Sequence, residues 1–186
     1  MTAVAAPIAK PRRMPRWLVA LLVAVGVIAV ACMLGGFAVA RYVTTPRFRN
    51  NGISMTPCFA DGATVTTNKL DDGERQALRR GDIVIYRPPI NTESSYIKRI
   101  IAVGGDQIAV HDGKVFLNGA ALDERYVAQP ALYRYPLGGD APYTVPDGAV
   151  FALGDNRNNS ADSHVHGAVT LDRVTHKVTS SCAGRP

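Results

Sequence analysis

The chain has 186 residues, with 21 Lys and Arg against 15 Asp and Glu for a formal net charge of +6; 47% of residues are hydrophobic and 19% charged. That balance excludes a disordered chain and is unlike an ordinary soluble domain. The positive excess is concentrated in Lys10, Arg12, Arg13 and Arg16, and without these four the chain carries 17 basic and 15 acidic residues. It therefore reads as one basic tail abutting a hydrophobic run, not as a nucleic-acid surface, and no nucleic-acid partner is expected.

Residues 17 to 40 carry no charge. As a helix this run reaches about 36 Å, more than the roughly 30 Å hydrocarbon core of a bilayer, so a single membrane anchor is predicted, with lipid as a partner. Four positive charges precede the run, and Arg41, Arg47 and Arg49 follow it, which favours a cytoplasmic N-terminus. The expected layout is a cytoplasmic basic tail over 1–16, a transmembrane anchor over 17–40 and an extracytoplasmic domain over 41–186. A rival reading is a cleaved signal peptide ending at Ala38-Val39-Ala40, although the apolar run exceeds the length usual for such a segment. Either way residues 41–186 lie outside the cytoplasm, and they are numerous enough to bury a core. Cys32 falls in the apolar run; Cys58 and Cys182 are left in the exported part, where a disulfide is permitted but spacing does not decide whether one forms.

Beyond a polar connector over Arg41 to Asn51, Gly and Pro recur every 8 to 15 residues and helical periodicity is scarce. The runs Asp82 to Tyr86, Tyr96 to Val103, Gln107 to His111, Lys114 to Leu117 and Ala149 to Leu153 are short and rich in Val, Ile, Tyr and Phe, and predict strands. Asp112-Gly113 between two of them is a type I′ hairpin signal. Asp71 to Arg80 is compatible with a short helix, and irregular loops are expected over Gln129 to Pro146. Residues 107–148 are expected to form an inserted subdomain or extended hairpin. The expected fold is mainly β, an antiparallel sheet domain. No metal-ligand spacing occurs among the four His; only His164 and His166 are close in sequence.

Three segments put reactive groups where a β domain does not need them. In Gly52-Ile53-Ser54-Met55-Thr56-Pro57, Gly52 permits an unusual backbone angle and Pro57 restricts Thr56, so Ser54 can present hydroxyl and backbone N–H to one point. In Tyr96 to Val103, alternation puts Lys98 on a face with Tyr96, Ile100 and Ala102, and Arg99 on the other with Ile97 and Ile101. One cation must then occupy a mostly apolar face, where lost hydration lowers an amine's pKa; Arg could not replace Lys as a base, because it stays protonated. Gly154 to Ser163 follows the apolar run Val150 to Leu153 and is almost wholly polar, a hydrogen-bonded loop able to orient an amine and to pair an Arg.

Together and in this order, behind an N-terminal span, these segments resemble the type I signal peptidases, membrane-anchored Ser/Lys proteases. Gly52 to Pro57 is similar to the family's G-x-S-M-x-P, Gly81 to Tyr86 to its G-D-[IV]-V strand, Tyr96 to Asp106 to its Y-[IV]-K-R...G-D box, and Gly154 to Ser163 to its G-D-N-R-x-x-S-x-D-S box. The resemblance implies a serine endopeptidase that removes signal peptides from translocated precursor proteins and uses neither cofactor nor metal. It implies Ser54 as nucleophile and backbone oxyanion donor, Lys98 as general base and Ser160 as the residue orienting Lys98. Arg99, Asp155 and Asp162 would support the site, and Met55, Ile85 and Tyr96 would contribute to the substrate groove.

Some positions depart from the family pattern. Gly52 stands where some members have a Ser hydroxyl as a second oxyanion donor, and Asn50 where an aliphatic residue is common beside the groove. Cys58-Phe59 replaces Thr-Leu, and His164 replaces an Arg, which makes its pairing with Asp162 pH-sensitive. Two alternatives to a general signal peptidase are a maturation peptidase dedicated to one exported precursor, pilin-like or conjugative, and an exported binding domain without catalysis.

Overall fold

The computed structural model describes residues 15–139 and 141–182; the predicted basic tail lies outside them up to residue 14. The chain divides into two compact units, up to Thr44 and from Thr45 onward. The first is α1 (Arg16–Thr44). Its span Arg16–Gly36 has a mean hydropathy of 2.9 and none of it is buried, so it is long and apolar enough to cross a membrane. Helical backbone runs through Ala38-Val39-Ala40 and four residues beyond.

The second unit contains, in chain order, β1 (Arg47–Arg49), β2 (Thr64–Lys69), α2 (Asp72–Gln76), β3 (Ile83–Tyr86), β4 (Tyr96–Val103), β5 (Gln107–His111), β6 (Lys114–Leu117), β7 (Ala120–Ala121), β8 (Tyr143–Thr144), β9 (Ala149–Leu153), α3 (Ser163–His166), β10 (Val169–Thr170) and β11 (Val174–Val178). Every strand pairing is antiparallel. One sheet has the order β1-β2-β11-β3-β4-β9-β10; a second has the order β7-β6-β5-β8. The β5–β6 turn is the I′ type expected from Asp112-Gly113, both residues having positive φ (50° and 75°).

Helix α2 is half the predicted length. Asp71 and Glu74 form a capping box at its start. Its end comes early because the Arg79 N–H donates to the Asp82 carboxylate and the Gly81 N–H to the Ile100 carbonyl, turning the chain into β3.

Alternation divides the core. Along β9, Val150 and Ala152 face one cluster with Val84, Tyr86 and Ile100, whereas Phe151 and Leu153 face another with Ile108, Val110, Val115 and Leu117 of the second sheet. Strands β3, β4 and β9 are thus covered on both faces, which explains why they read as nearly continuous apolar runs. The pairing of β4 with β9 shifts register between Ile100 and Ala102. This irregularity turns Ala102 to the same cluster as Ile101, so the predicted grouping of Ala102 with Lys98 and Ile100 is incorrect. A third cluster, with Met55, Cys58, Phe59, Val65, Ile83, Ile85 and Ile97, lies beneath the turn that carries Ser54.

Candidate active site

Ser54 sits on a turn between β1 and β2 that is tied down from several directions. Gly52 has φ of 107°, a conformation that L side chains rarely adopt, and its N–H donates to Asp61 Oδ1 at 2.7 Å. The buried Asn50 donates from Nδ2 to the Gly52 and Ala60 carbonyls at 3.1 and 2.9 Å, gathering both limbs of the turn. Asn50 therefore acts as a brace as well as lining the cleft, which an aliphatic residue could not do. From the opposite loop, the Asn156 N–H donates to the Ser54 carbonyl at 3.0 Å and Asn156 Nδ2 to the Ile53 carbonyl at 3.2 Å. The Ser54 N–H itself has no protein acceptor among the described residues, so it is available to a ligand.

Lys98 on β4 reaches this turn. Its Nζ lies 2.9 Å from Ser54 Oγ and 3.0 Å from the Ile97 carbonyl, and the residue is only 4% exposed. Burial lowers the amine from its ordinary 10.5 to about 8, the carboxylates of Asp162 and Asp155 pulling weakly the other way. When Lys98 is neutral, an N–H bond to the Ile97 carbonyl leaves the lone pair to accept the Ser54 hydroxyl. The Tyr96 ring centroid is 5.1 Å from Nζ and shields one side of it.

The loop after β9 supports both residues. Arg99 donates to both oxygens of Asp155 at 2.8 and 2.6 Å, and its guanidinium covers the Tyr126 ring at 4.1 Å. This fork is buried, so each partner compensates the other's desolvation. A second fork, from Arg157 to Glu124 at 2.8 and 2.7 Å, lies beyond the same tyrosine. Arg157 also donates from Nε to the Gly154 carbonyl. Glu124 comes from the β7–β8 connection, and sequence spacing carries no signal of that pairing.

Asp162 caps α3, accepting from the His164 N–H and side chain on one oxygen and from the Gly154 N–H on the other, at 2.9 Å. Burial opposes its charge, but these donors outweigh burial and hold the carboxyl below its ordinary range. His164 thus stands where its ring can serve Asp162, and it also stacks on Tyr133 at 4.1 Å.

Not every expected residue takes its expected place. The Ser160 hydroxyl is buried beside the Asp162 carboxylate, and Lys98 makes its bonds to Ser54 and Ile97 instead, so the expected Ser160–Lys98 bond is not formed. Ser160 packs against Gly154, where a Cβ would stand 2.3 Å from Ser160 Oγ and 2.5 Å from the Ser54 carbonyl oxygen. Only glycine fits between the two loops. Met55 and Ile85 are fully buried in the cluster under the Ser54 turn, so neither lines the groove. Met55 is carried inward by the tight turn, and Ile85 belongs to a strand covered on both faces. The open cleft, about 310 Å³, is bordered instead by Arg49 to Ser54 on one side and Ser95 to Lys98, Tyr96 among them, on the other.

Cys58 and Cys182, whose pairing the sequence left open, form a disulfide joining the Ser54 turn to the segment after β11. Their sulfurs and Asp155 lie close together. Because both sulfurs are consumed in the bond and the carboxylate pairs with Arg99, the trio is not a thiolate ligand set.

The family model for "Signal peptidase, peptidase S26" matches residues 14–182. A signal peptidase I of Bacillus caldolyticus is 33% identical over 178 residues, covering 90% of this chain and 87% of that protein. A probable signal peptidase I-2 of Synechocystis is 37% identical over 142 residues, and the match spans 74% of this chain but only 59% of the relative's length. A crystal structure of a signal peptidase I from Enterococcus faecalis V583 is similar with a TM-score of 0.47 and 30% identity over 52% of this chain and 92% of the other. The chain belongs to the signal peptidase family, peptidase S26.

Proposed function

We propose that this protein is a membrane-anchored serine endopeptidase that cleaves signal peptides from translocated precursors with a Ser54/Lys98 dyad. The observation that carries this reading is the 2.9 Å contact between a hydroxyl on a braced turn and a buried amine whose pKa has fallen to about 8. Roughly a tenth of the molecules then hold a neutral base at pH 7, against well under a thousandth for an unperturbed lysine.

Neutral Lys98 takes the proton of Ser54 Oγ as the oxygen attacks the scissile carbonyl carbon. The carbonyl oxygen becomes an oxyanion and accepts from the Ser54 N–H. On collapse, the Lys98 ammonium protonates the departing amine and the acyl group stays on Ser54. Lys98 then takes a proton from water, which attacks the ester and releases the acid. Asn156, Gly154 and Asp162 hold the two loops in register and touch no reacting atom. Arg99 with Asp155 supports the loop.

Helix α1 anchors the enzyme with its N-terminus in the cytoplasm and the catalytic unit outside, where precursors are retained by their own hydrophobic segments. The decisive experiment incubates the detergent-solubilised chain with a precursor bearing an A-x-A site and identifies the products by mass spectrometry. A single cut after that site, lost in Ser54→Ala and in Lys98→Met, is expected; cleavage persisting in both variants would overturn the mechanism.

A further inference from the structure

One cation at the cleft has no role in this chemistry. Arg49 ends β1 and lines the cleft that holds Ser54 and Lys98. Its guanidinium lies against bare Gly62, whose φ is 77°: a Cβ there would stand 3.3 Å from Nη2, 3.7 Å from Nε and 4.0 Å from Cζ. The two chain segments are joined at this point by Asn50 N–H to the Ala63 carbonyl and Gly62 N–H to the Asn50 carbonyl. The guanidinium of this exposed residue thus lies over a fixed stretch of backbone and makes no hydrogen bond or ion pair among the described residues. Asp61, next to Gly62, commits Oδ1 to the Gly52 N–H. The charged residues lining the cleft are Arg49 and Lys98, with no carboxylate among them.

From the exposed, unpaired guanidinium in an acid-free cleft we infer that Arg49 determines specificity, selecting precursor segments with a carboxylate near the scissile bond. This rests on the function proposed above. Arg49 precedes Ser54 by five residues, which span at most about 17 Å when extended, so the carboxylate lies within about five residues of the cut in an extended substrate. A planar guanidinium with its donors free favours a carboxylate and disfavours Lys at that position. Its place beside the nucleophile favours a peptide ligand over the headgroup of an anionic lipid.

The test measures kcat/KM for the full chain in neutral detergent micelles, using peptides with an A-x-A site in which Glu, Ala or Lys is scanned through five positions on each side of the cut. The wild type should prefer Glu to Ala about fivefold at one position, and the preference should fade near 1 M salt. In Arg49→Ala the Glu:Ala ratio should fall to about one, and in Arg49→Glu the preference should pass to Lys. Both are ratios within one variant, so a partly folded preparation leaves them interpretable. Unaltered ratios in both variants would overturn the inference, and so would a change confined to the response to added anionic phospholipid. If the wild type cleaves no peptide, the proposed function falls and takes this inference with it; cleavage with unaltered ratios sinks the inference alone.

Discussion

Replacing Lys98 by Met keeps the length of the stem and removes the charge, and it should abolish cleavage while making the fold more stable. The gap between 10.5 for the free amine and about 8 in the fold corresponds to about 3 kcal/mol of penalty on the charged form. Below pH 8 the amine is protonated in both folded and unfolded chains, so the folded state bears the whole penalty. Between pH 8 and 10.5 the folded chain releases its proton before the unfolded chain does, and the penalty declines. Loss of the bonds to Ser54 and Ile97 subtracts about 1 kcal/mol from the gain. Lys98→Met should therefore exceed the wild type by about 2 kcal/mol at pH 7, and the two should converge near pH 9.5. Urea unfolding of both proteins in the same detergent at the two pH values measures this. In parallel, the wild-type rate should rise through pH 8. A stability difference that does not vary with pH would refute the depressed pKa of Lys98.

Other substitutions separate chemistry from support. Ser54→Ala should reduce precursor cleavage to background with an unaltered circular dichroism spectrum. Gly154→Ala puts a methyl group into the Ser54 carbonyl and Ser160, and should lower kcat at least about a hundredfold by displacing Ser54. Asp155→Asn leaves Arg99 charged and unpaired in the interior, and should lower unfolding free energy by about 3 to 5 kcal/mol in urea titrations. Cys58→Ser opens a link between positions 124 residues apart; it should cost about 4 kcal/mol of stability while retaining substantial cleavage, and complete loss would give Cys58 a part in the chemistry.

Four predicted strands, β4, β5, β6 and β9, begin and end where expected because their residues are apolar on two faces or alternate cleanly before a Gly turn. Strands β2 and β11 escaped notice for the opposite reason. TVTTNK and VTHKV bury only alternate or terminal positions and otherwise carry Thr, Asn, His and Lys. Strands of two or three residues, such as β7 and β8, exist only through their neighbours. Ser54 and Lys98 could be singled out because each sits in a motif, and the fold brings them within 2.9 Å of each other. Met55 was misplaced because a turn, unlike a strand, sends consecutive side chains in directions that spacing does not define. Asn156 and Glu124 act through a backbone clamp and a distant ion pair, which only the folded chain brings together.

Strand β11 is inserted between β2 and β3, so residues 174–178 pair with two strands synthesised about a hundred residues earlier. Until that segment emerges from the ribosome, β2 and β3 each keep an open edge, and Cys58 lacks its sulfur partner. Assembly of the catalytic unit thereby waits for residues 174–178. A chain stalled before residue 174 would present unpaired strand edges to its neighbours instead of a working protease.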